Sequence, residues 1–193
     1  MPNFGHAKPE NLAKQTSSDT EKRKITIKKQ LNMAKNSKTS KPEPQYSFDD
    51  LYFTPFSEQR KFDEEGNVYY VPIERNTHPT GIRAFDNYLN HLSEGYSNTW
   101  QHCSEEGVSE FDFYAMCRVL TGMTLTEIRM KWVERNVLGL LRYTDLSSEE
   151  VADRSGAGSI SNMHRACKRA SRVSPHFYRR RFCDEDDVGK FRL

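Results

Sequence analysis

The hydrophobic positions divide the chain into three regions of different character. Residues 1–45 carry few large apolar side chains among many Lys, Ser, Asn and Thr residues. Such a segment buries too little apolar surface to offset the entropy of ordering it. Five large apolar side chains then arrive between Phe48 and Phe56, and after Pro79 apolar positions recur at helical spacing to the end of the chain. The pattern predicts a disordered tail over 1–45, an extension over 46–80 and a mainly α-helical body.

Two short β-rich runs lie within the extension. They cover residues 60–63 and 68–71, and the segment between them contains the turn-forming pair Gly66 and Asn67. This arrangement is typical of a small β-hairpin. Because a single hairpin is only marginally stable, we expect it to pack on the helical body.

The starts of the helices are marked by capping residues. Thr124 with Glu127, and Ser147 with Glu150, fit the capping box, in which a hydroxyl and a carboxylate satisfy each other's backbone N–H groups. Further N-cap residues are Ser109, Ser159 and Ser174, the last followed by Pro175 at the first helical position.

An unusually long helix is predicted from about Leu125 to Tyr143. Apolar residues fall on one of its faces, namely Ile128, Trp132, Leu140 and Leu141. We expect this helix to separate two smaller helical units.

Residues 147–169 have the pattern of a helix-turn-helix. A short helix with the small residue Ala152 is followed by a turn at Gly156 and Gly158 and by a second helix from Ser159. Met163 and Cys167, four residues apart, should point inward. The outer side then carries Ile160, Ser161, Asn162, His164 and Arg165, and Asn and Arg are side chains that read adenine and guanine edges in the major groove.

The charge is unevenly distributed although the formal net charge is only +2. Residues 1–45 hold ten Lys/Arg against four Asp/Glu, so the rest of the chain is mildly acidic. Yet residues 164–182 contain seven cations and no acidic residue: Arg165, Lys168, Arg169, Arg172, Arg179, Arg180 and Arg181. Beside a helix-turn-helix we interpret this cluster as a phosphate-contacting surface. The basic tail is either inert or a nonspecific arm that grips DNA.

Other classes of function find little support in the sequence. No apolar run is long enough for a membrane span or a secretory signal, which favours a soluble, cytoplasmic protein without a membrane partner. The four cysteines have no metal-ligand or disulfide-framework spacing, so reduced structural thiols and no metal or cofactor are expected. Without paired carboxylates, a nucleophile motif or a phosphate-cradling loop, the chain is not expected to be an enzyme.

The second half of the chain resembles the AraC/XylS-type DNA-binding domain, in which two helix-turn-helix units are joined by a long linker helix. The resemblance spans about sixty residues and rests on Thr121-Gly122-Met123-Thr124, Leu140-Leu141, Thr144-Asp145-Leu146-Ser147, Val151-Ala152, Gly156, Arg165, Lys168, Val173-Ser174-Pro175 and Tyr178-Arg179. In the first unit, Cys103, Ser109 and Gly122 keep the family's intervals. By that register Phe113 and Cys117 are core residues, while Phe111, Tyr114 and Ala115 face DNA.

The sequence departs from the family pattern in two respects. Cys117 and Cys167 stand where the family usually has phenylalanine, and Ala157 replaces an aromatic residue. The core is therefore either thinner or filled from elsewhere, with the aromatics of 48–56 as candidates. The first unit is also acidic, through Glu105, Glu106, Glu110 and Asp112. Since phosphates repel carboxylates, the second unit should dominate DNA contact.

The resemblance therefore predicts a bacterial or mobile-element transcription regulator that binds specific double-stranded DNA sequences through an AraC-like domain at 81–182, followed by a C-terminal tail at 183–193. The predicted base contacts are Ile160, Ser161, Asn162, Arg165 and Tyr114. The predicted phosphate contacts are Ser159, Lys168, Arg169, Arg172 and Arg179. The alternative is a protein-interaction module that has lost DNA binding and whose acidic first unit engages RNA polymerase or another regulator.

Overall fold

A computed structural model describes residues 43–95 and 98–193. Within these ranges the chain forms eight helices and three short strands. The helices are α1 (Phe48–Leu51), α2 (Arg83–Ser93), α3 (Thr99–Glu106), α4 (Glu110–Thr121), α5 (Leu125–Tyr143), α6 (Ser148–Arg154), α7 (Ile160–Ser171) and α8 (Pro175–Phe182). The strands are β1 (Glu58–Phe62), β2 (Val68–Pro72) and β3 (Phe191–Arg192). The mainly helical class is confirmed, whereas the tail predicted for 1–45 lies outside the described residues except for its last three.

The predicted hairpin is present. β1 and β2 pair antiparallel with Arg60 opposite Tyr70, and Gly66 takes the left-handed conformation, with φ of 85°, in the turn between them. Asp63 closes that turn because its carboxylate accepts the backbone N–H groups of Glu65 and Asn67 at 3.0 and 2.7 Å.

A third strand corrects the expectation that the chain is helical to its end. β3 pairs antiparallel with the free edge of β1, giving the order β2-β1-β3. Its Phe191 ring stacks on Phe56 at 5.1 Å and meets Tyr143 edge-on at 4.8 Å. The segment before it is held by an ion pair of 2.8 Å between Arg142 and Asp187. Part of the segment predicted as a C-terminal tail is therefore folded onto α5 and the hairpin.

The long helix α5 has the predicted bounds and contributes to two hydrophobic clusters. Leu125, Ile128 and Trp132 lie in the first cluster with residues of α2, α3 and α4. The second cluster contains residues of α6 and α7 together with Val137, Leu140 and Leu141 of α5. One rigid element thus supports both helical units.

Aromatic side chains of the extension pack into both hydrophobic clusters. The rings of Phe48, Tyr52 and Phe53 surround Trp132 with centroid distances of 6.2, 5.2 and 5.6 Å. Phe56 enters the second cluster beside Gly139, where an added Cβ would lie 3.4 Å from its ring. The expectation that residues 48–56 complete the core is confirmed.

The N-caps form where the sequence predicts them. Ser109, Thr124, Ser147, Ser159 and Ser174 each accept a hydrogen bond from the backbone N–H three residues later, and Thr124 and Ser147 complete capping boxes. No helix in residues 43–95 and 98–193 is both long and apolar enough to cross a membrane.

Candidate nucleic-acid interface

Helices α6 and α7 form the helix-turn-helix that the sequence predicts. Gly156 and Gly158 turn the chain with φ of 77° and 71°, a conformation that costs glycine nothing. The N–H of Gly158 donates to the carbonyl of Ala152 at 3.1 Å, which closes the turn. Inside it, Ala152 and Met163 are buried, so α7 is packed along one side only.

The outer face of α7 carries an exposed stripe of four residues. Ser161, Arg165, Lys168 and Arg172 follow one another at intervals of four, three and four residues, which places them on one side of a helix. Arg172 ends the helix in the left-handed conformation, and its N–H donates to the carbonyl of Lys168 at 3.0 Å. Ile160 is 40% exposed at the start of the same helix. The geometry presents polar and cationic side chains together on a helix that could enter a groove.

Two predicted contact residues are engaged at the start of α7. The Ser159 hydroxyl accepts the N–H of Asn162 at 3.2 Å as the N-cap. The side-chain amide of Asn162 donates to the carbonyl of Ala157 at 3.0 Å. Both side chains are therefore engaged within the protein, and their contacts to a base and a phosphate remain predictions.

Two predicted phosphate contacts have partners within the protein. The Arg169 guanidinium pairs with Glu134 of α5 at 2.6 Å. Arg179 is half-buried and donates to the carbonyl of Leu146, which ties α8 to the loop before α6. The structure thus gives both arginines a structural contact, and their roles at phosphate remain predictions.

Helices α3 and α4 form the first unit, and the residues predicted to face outward there are exposed. Phe111 is 81% exposed, and Tyr114 and Ala115 also lie at the surface, whereas Phe113 and Cys117 are buried as the register predicts. The first turn of α4 carries Glu110 and Asp112. A phosphate approaching this helix would meet negative charge.

The acidic residue Glu106 has a structural role instead. Its carboxylate accepts from Arg83 at 3.1 Å and from Asn87 at 2.7 Å, joining α3 to α2. The hydrogen bond from Asn87 is the main reason that the pKa of Glu106 is lowered. Glu106 therefore holds α3 against α2 and does not add to the negative charge on the outer face of α4.

The thiols of the buried cysteines are held in their protonated form. Burial raises the pKa of the Cys117 thiol to about 12 and also raises that of Cys167. Both side chains are protonated at neutral pH, and a thiol in that state is a poor nucleophile and metal ligand. The described parts of the chain also hold no group of three or more His, Cys, Asp or Glu residues suited to a metal ion.

Arg129 on α5 is an exposed cation that sequence reasoning missed. It lies outside the helix-turn-helix motif and outside the basic cluster of 164–182. In the fold it lines the same cavity as Asn162 and Arg165. The sequence feature that could have identified Arg129 is its spacing of four residues from the apolar Val133. Val133 packs against the second cluster, so Arg129, one turn earlier, lies on the side of α5 that faces α7.

Comparison with known proteins places this arrangement in a recognised class of domain. Residues 102–181, from within α3 to the last turn of α8, match a family model described as "Helix-turn-helix domain". No curated protein sequence matches the chain.

Similar solved structures include three proteins whose names refer to regulators. The xylose-binding transcription activator xylR aligns at 22% identity and a TM-score of 0.45, covering 58% of this chain but only 29% of its own length. The C-terminal domain of the two-component response regulator yesN from Fusobacterium nucleatum subsp. nucleatum aligns at 17% identity and a TM-score of 0.45, covering 50% of this chain and 98% of that domain. The C-terminal domain of AraT, a response regulator from Geobacillus stearothermophilus, aligns at 27% identity and a TM-score of 0.48, covering 53% and 86% of the two chains.

Proposed function

We propose, on the premise that residues 102–181 are an AraC-type helix-turn-helix domain, that this protein recognises specific double-stranded DNA sequences through α7. DNA binding in transcription regulation is the function that this type of domain supports. The observation that carries the finer proposal is the exposed stripe on α7, because it combines base-reading side chains with cations on a helix whose other side is buried.

The side chains of α7 divide into two roles by their position. Arg165 lies in the second turn, near enough to the start of the helix to reach a base edge, where a guanidinium can bind guanine bidentately. Ile160, Ser161 and Asn162 precede it and would contact neighbouring bases. Lys168 and Arg172 lie further along the same stripe and would hold the phosphates that flank the groove.

Three further residues complete the proposed phosphate contacts. Ser159 can donate its hydroxyl from the helix start. Arg169 and Arg179 add positive charge behind α7, although each also has a partner in the protein. Tyr114 of the first unit remains a proposed base contact because it is exposed on α4.

Selection of bound fragments from a random duplex pool tests this proposal. We expect enrichment of a common sequence, followed by a mobility shift that is tighter for that sequence than for random duplex and weakens steeply with salt. Failure to shift any duplex at low salt would contradict it.

A second candidate function is favoured by the exposed aromatic residues of the first unit. Phe111 on α4 and Trp100 on α3 are 81% and 67% exposed, and the same two helices carry the exposed carboxylates of Glu105, Glu110 and Asp112. This surface suits contact with a basic partner protein, such as RNA polymerase or another regulator, better than contact with phosphate. A protein that acts only in this way would give no mobility shift with either selected or random duplex.

A further inference from the structure

A cleft of about 250 Å³ separates the first half of α5 from α7. Its walls combine apolar and cationic side chains. Met130 and Val133 of α5 and Ala166 of α7 line it together with Arg129, Arg165 and Arg169. None of the lining residues, all within the described part of the chain, is acidic.

Two of the three arginines at this cleft form no ion pair with any residue that the structure describes. Glu134 neutralises Arg169 through the ion pair of 2.6 Å. For Arg129 and Arg165, the structure of residues 43–95 and 98–193 contains neither a hydrogen bond nor an ion pair. Two uncompensated guanidinium groups on one cleft raise the local positive potential and favour an anionic ligand.

A second cleft on α5 does not share this property. It lies on the opposite side of the helix and is lined by Arg135 and Arg142. Asp49 pairs with Arg135 at 3.1 Å and Asp187 pairs with Arg142 at 2.8 Å. Each arginine of this second cleft is therefore paired with a carboxylate, whereas Arg129 and Arg165 at the cleft facing α7 are in no ion pair with the described residues.

We propose that the cleft between α5 and α7 holds one phosphate of the DNA backbone together with its deoxyribose. The inference rests on the proposed function, because the same cleft includes Arg165, the proposed base reader. Arg129 would bind the phosphate, while Met130, Val133 and Ala166 offer an apolar surface to the sugar. Contacts of this kind position the protein on the duplex without reading the sequence.

The long helix thereby becomes a part of the interface. Arg129 is the fifth residue of α5, close to the first unit, and Arg165 belongs to the second unit. A backbone phosphate bound by the cleft would lie beside the groove that receives α7. It would restrict how far the helix can turn or slide along that groove.

The test compares substitutions that remove the same charge from two sides of α5. Arg129→Gln removes the cation at the cleft, and Lys131→Gln is the matched control, since Lys131 is exposed two residues later and lies over the Phe48 ring instead. Binding of the full chain to the selected duplex and to a random duplex is measured by fluorescence anisotropy over a series of salt concentrations.

We expect Arg129→Gln to weaken binding to both duplexes by about tenfold. The slope of log affinity against log salt should become shallower by about 0.9, as for the loss of one phosphate contact. Arg129→Lys should restore most of that slope, and Lys131→Gln should leave it unchanged. An unchanged slope for Arg129→Gln, or equal effects of Arg129→Gln and Lys131→Gln, would overturn the proposal while leaving DNA binding through α7 intact. If the unmodified protein binds no duplex, the proposed function itself fails.

Inorganic phosphate distinguishes a DNA phosphate from a free anion at the cleft. At matched ionic strength it should compete with DNA no better than chloride. Competition by inorganic phosphate that disappears in Arg129→Gln would assign the cleft to a free anion and overturn the proposal. Ethylation interference on the selected duplex should show one phosphate whose modification weakens the unmodified protein but not Arg129→Gln.

Discussion

In the first helix-turn-helix unit α4 buries Phe113 and Cys117, and in the second unit α7 buries Met163 and Cys167 at the same spacing of four residues. Each helix also begins at a serine N-cap and follows a shorter helix. The outer faces are different, because α4 starts with Glu110 and Asp112 whereas α7 has no acidic residue along its length. The two units thus share the same buried pattern but differ in the charge of their outer faces, and only the outer face of α7 is free of the negative charge that a polyanion would repel.

The greatest loss of stability is expected where a side chain of the first hydrophobic cluster is removed, in contrast to one on the surface of the first unit. Trp132→Ala removes a side chain that is buried among Phe48, Tyr52 and Phe53, and should lower the free energy of unfolding by about 3–5 kcal/mol. The control is the chain's other tryptophan, Trp100, which is 67% exposed, so Trp100→Ala should change stability by about 0.5 kcal/mol or less. Urea denaturation followed by circular dichroism measures both; equal losses would show that Trp132 does not organise the first cluster.

The next prediction separates the two proposed roles on the outer face of α7. Arg165→Ala should cost about 1–3 kcal/mol at the selected site and reduce discrimination at one base pair, because a guanidinium contact to a base edge is lost. Lys168→Ala should weaken all duplexes alike and flatten the salt slope by about one unit. Affinities for a panel of single-base variants provide the measurement. If both substitutions behave identically across the panel, the division into base and phosphate contacts is wrong.

The interior of both units could be predicted from the sequence because it depends on local patterns. Capping residues such as Thr124 and Ser147 mark helix starts through hydrogen bonds that span three residues, and the apolar spacing along α5 defines its buried face. The hairpin was predictable for the same reason, since its turn is closed by Asp63 within four residues.

The remaining features depend on contacts between distant parts of the chain. β3 forms because Phe191 meets Phe56 and Tyr143, and no local pattern in two residues can predict a strand. The pairing of Arg169 with Glu134 joins positions 35 residues apart, so the sequence predicts Arg169 as a phosphate contact and gives no sign of its partner in the protein. Arg129 was overlooked because its neighbours at the cleft come from another helix. The sequence predicts which residues lie on the outer face of α7, but it does not predict the hydrogen bonds and ion pairs that those residues form within the protein.

A smaller change in DNA affinity is expected at Glu134, the acidic residue of α5 that pairs with Arg169 of α7. Glu134→Gln removes the counter-charge of Arg169 and should strengthen binding to all duplexes by about two- to fivefold, since a freed guanidinium can reach phosphate. The salt slope should become steeper at the same time. Anisotropy measurements in an Arg169→Ala background provide the control, because the gain should vanish there; a gain that persists would mean that Glu134 acts by general repulsion.

The last prediction is a small change in stability at the capping box that begins α6. Hydrogen bonds from the backbone and hydroxyl of Ser147 lower the pKa of Glu150 below its usual 4.5. A lowered pKa in the folded state means that the ionised carboxylate stabilises the fold above pH 4.5, and that this contribution is lost as the pH falls through the folded-state value. Glu150→Gln should therefore be slightly less stable than the unmodified protein at pH 7, and the difference in urea midpoint should shrink toward pH 3.

Because Glu149 is a neighbouring exposed carboxylate outside the capping box, Glu149→Gln controls for simple loss of charge. A difference that stays constant from pH 7 to pH 3 would assign the effect to packing rather than to the cap.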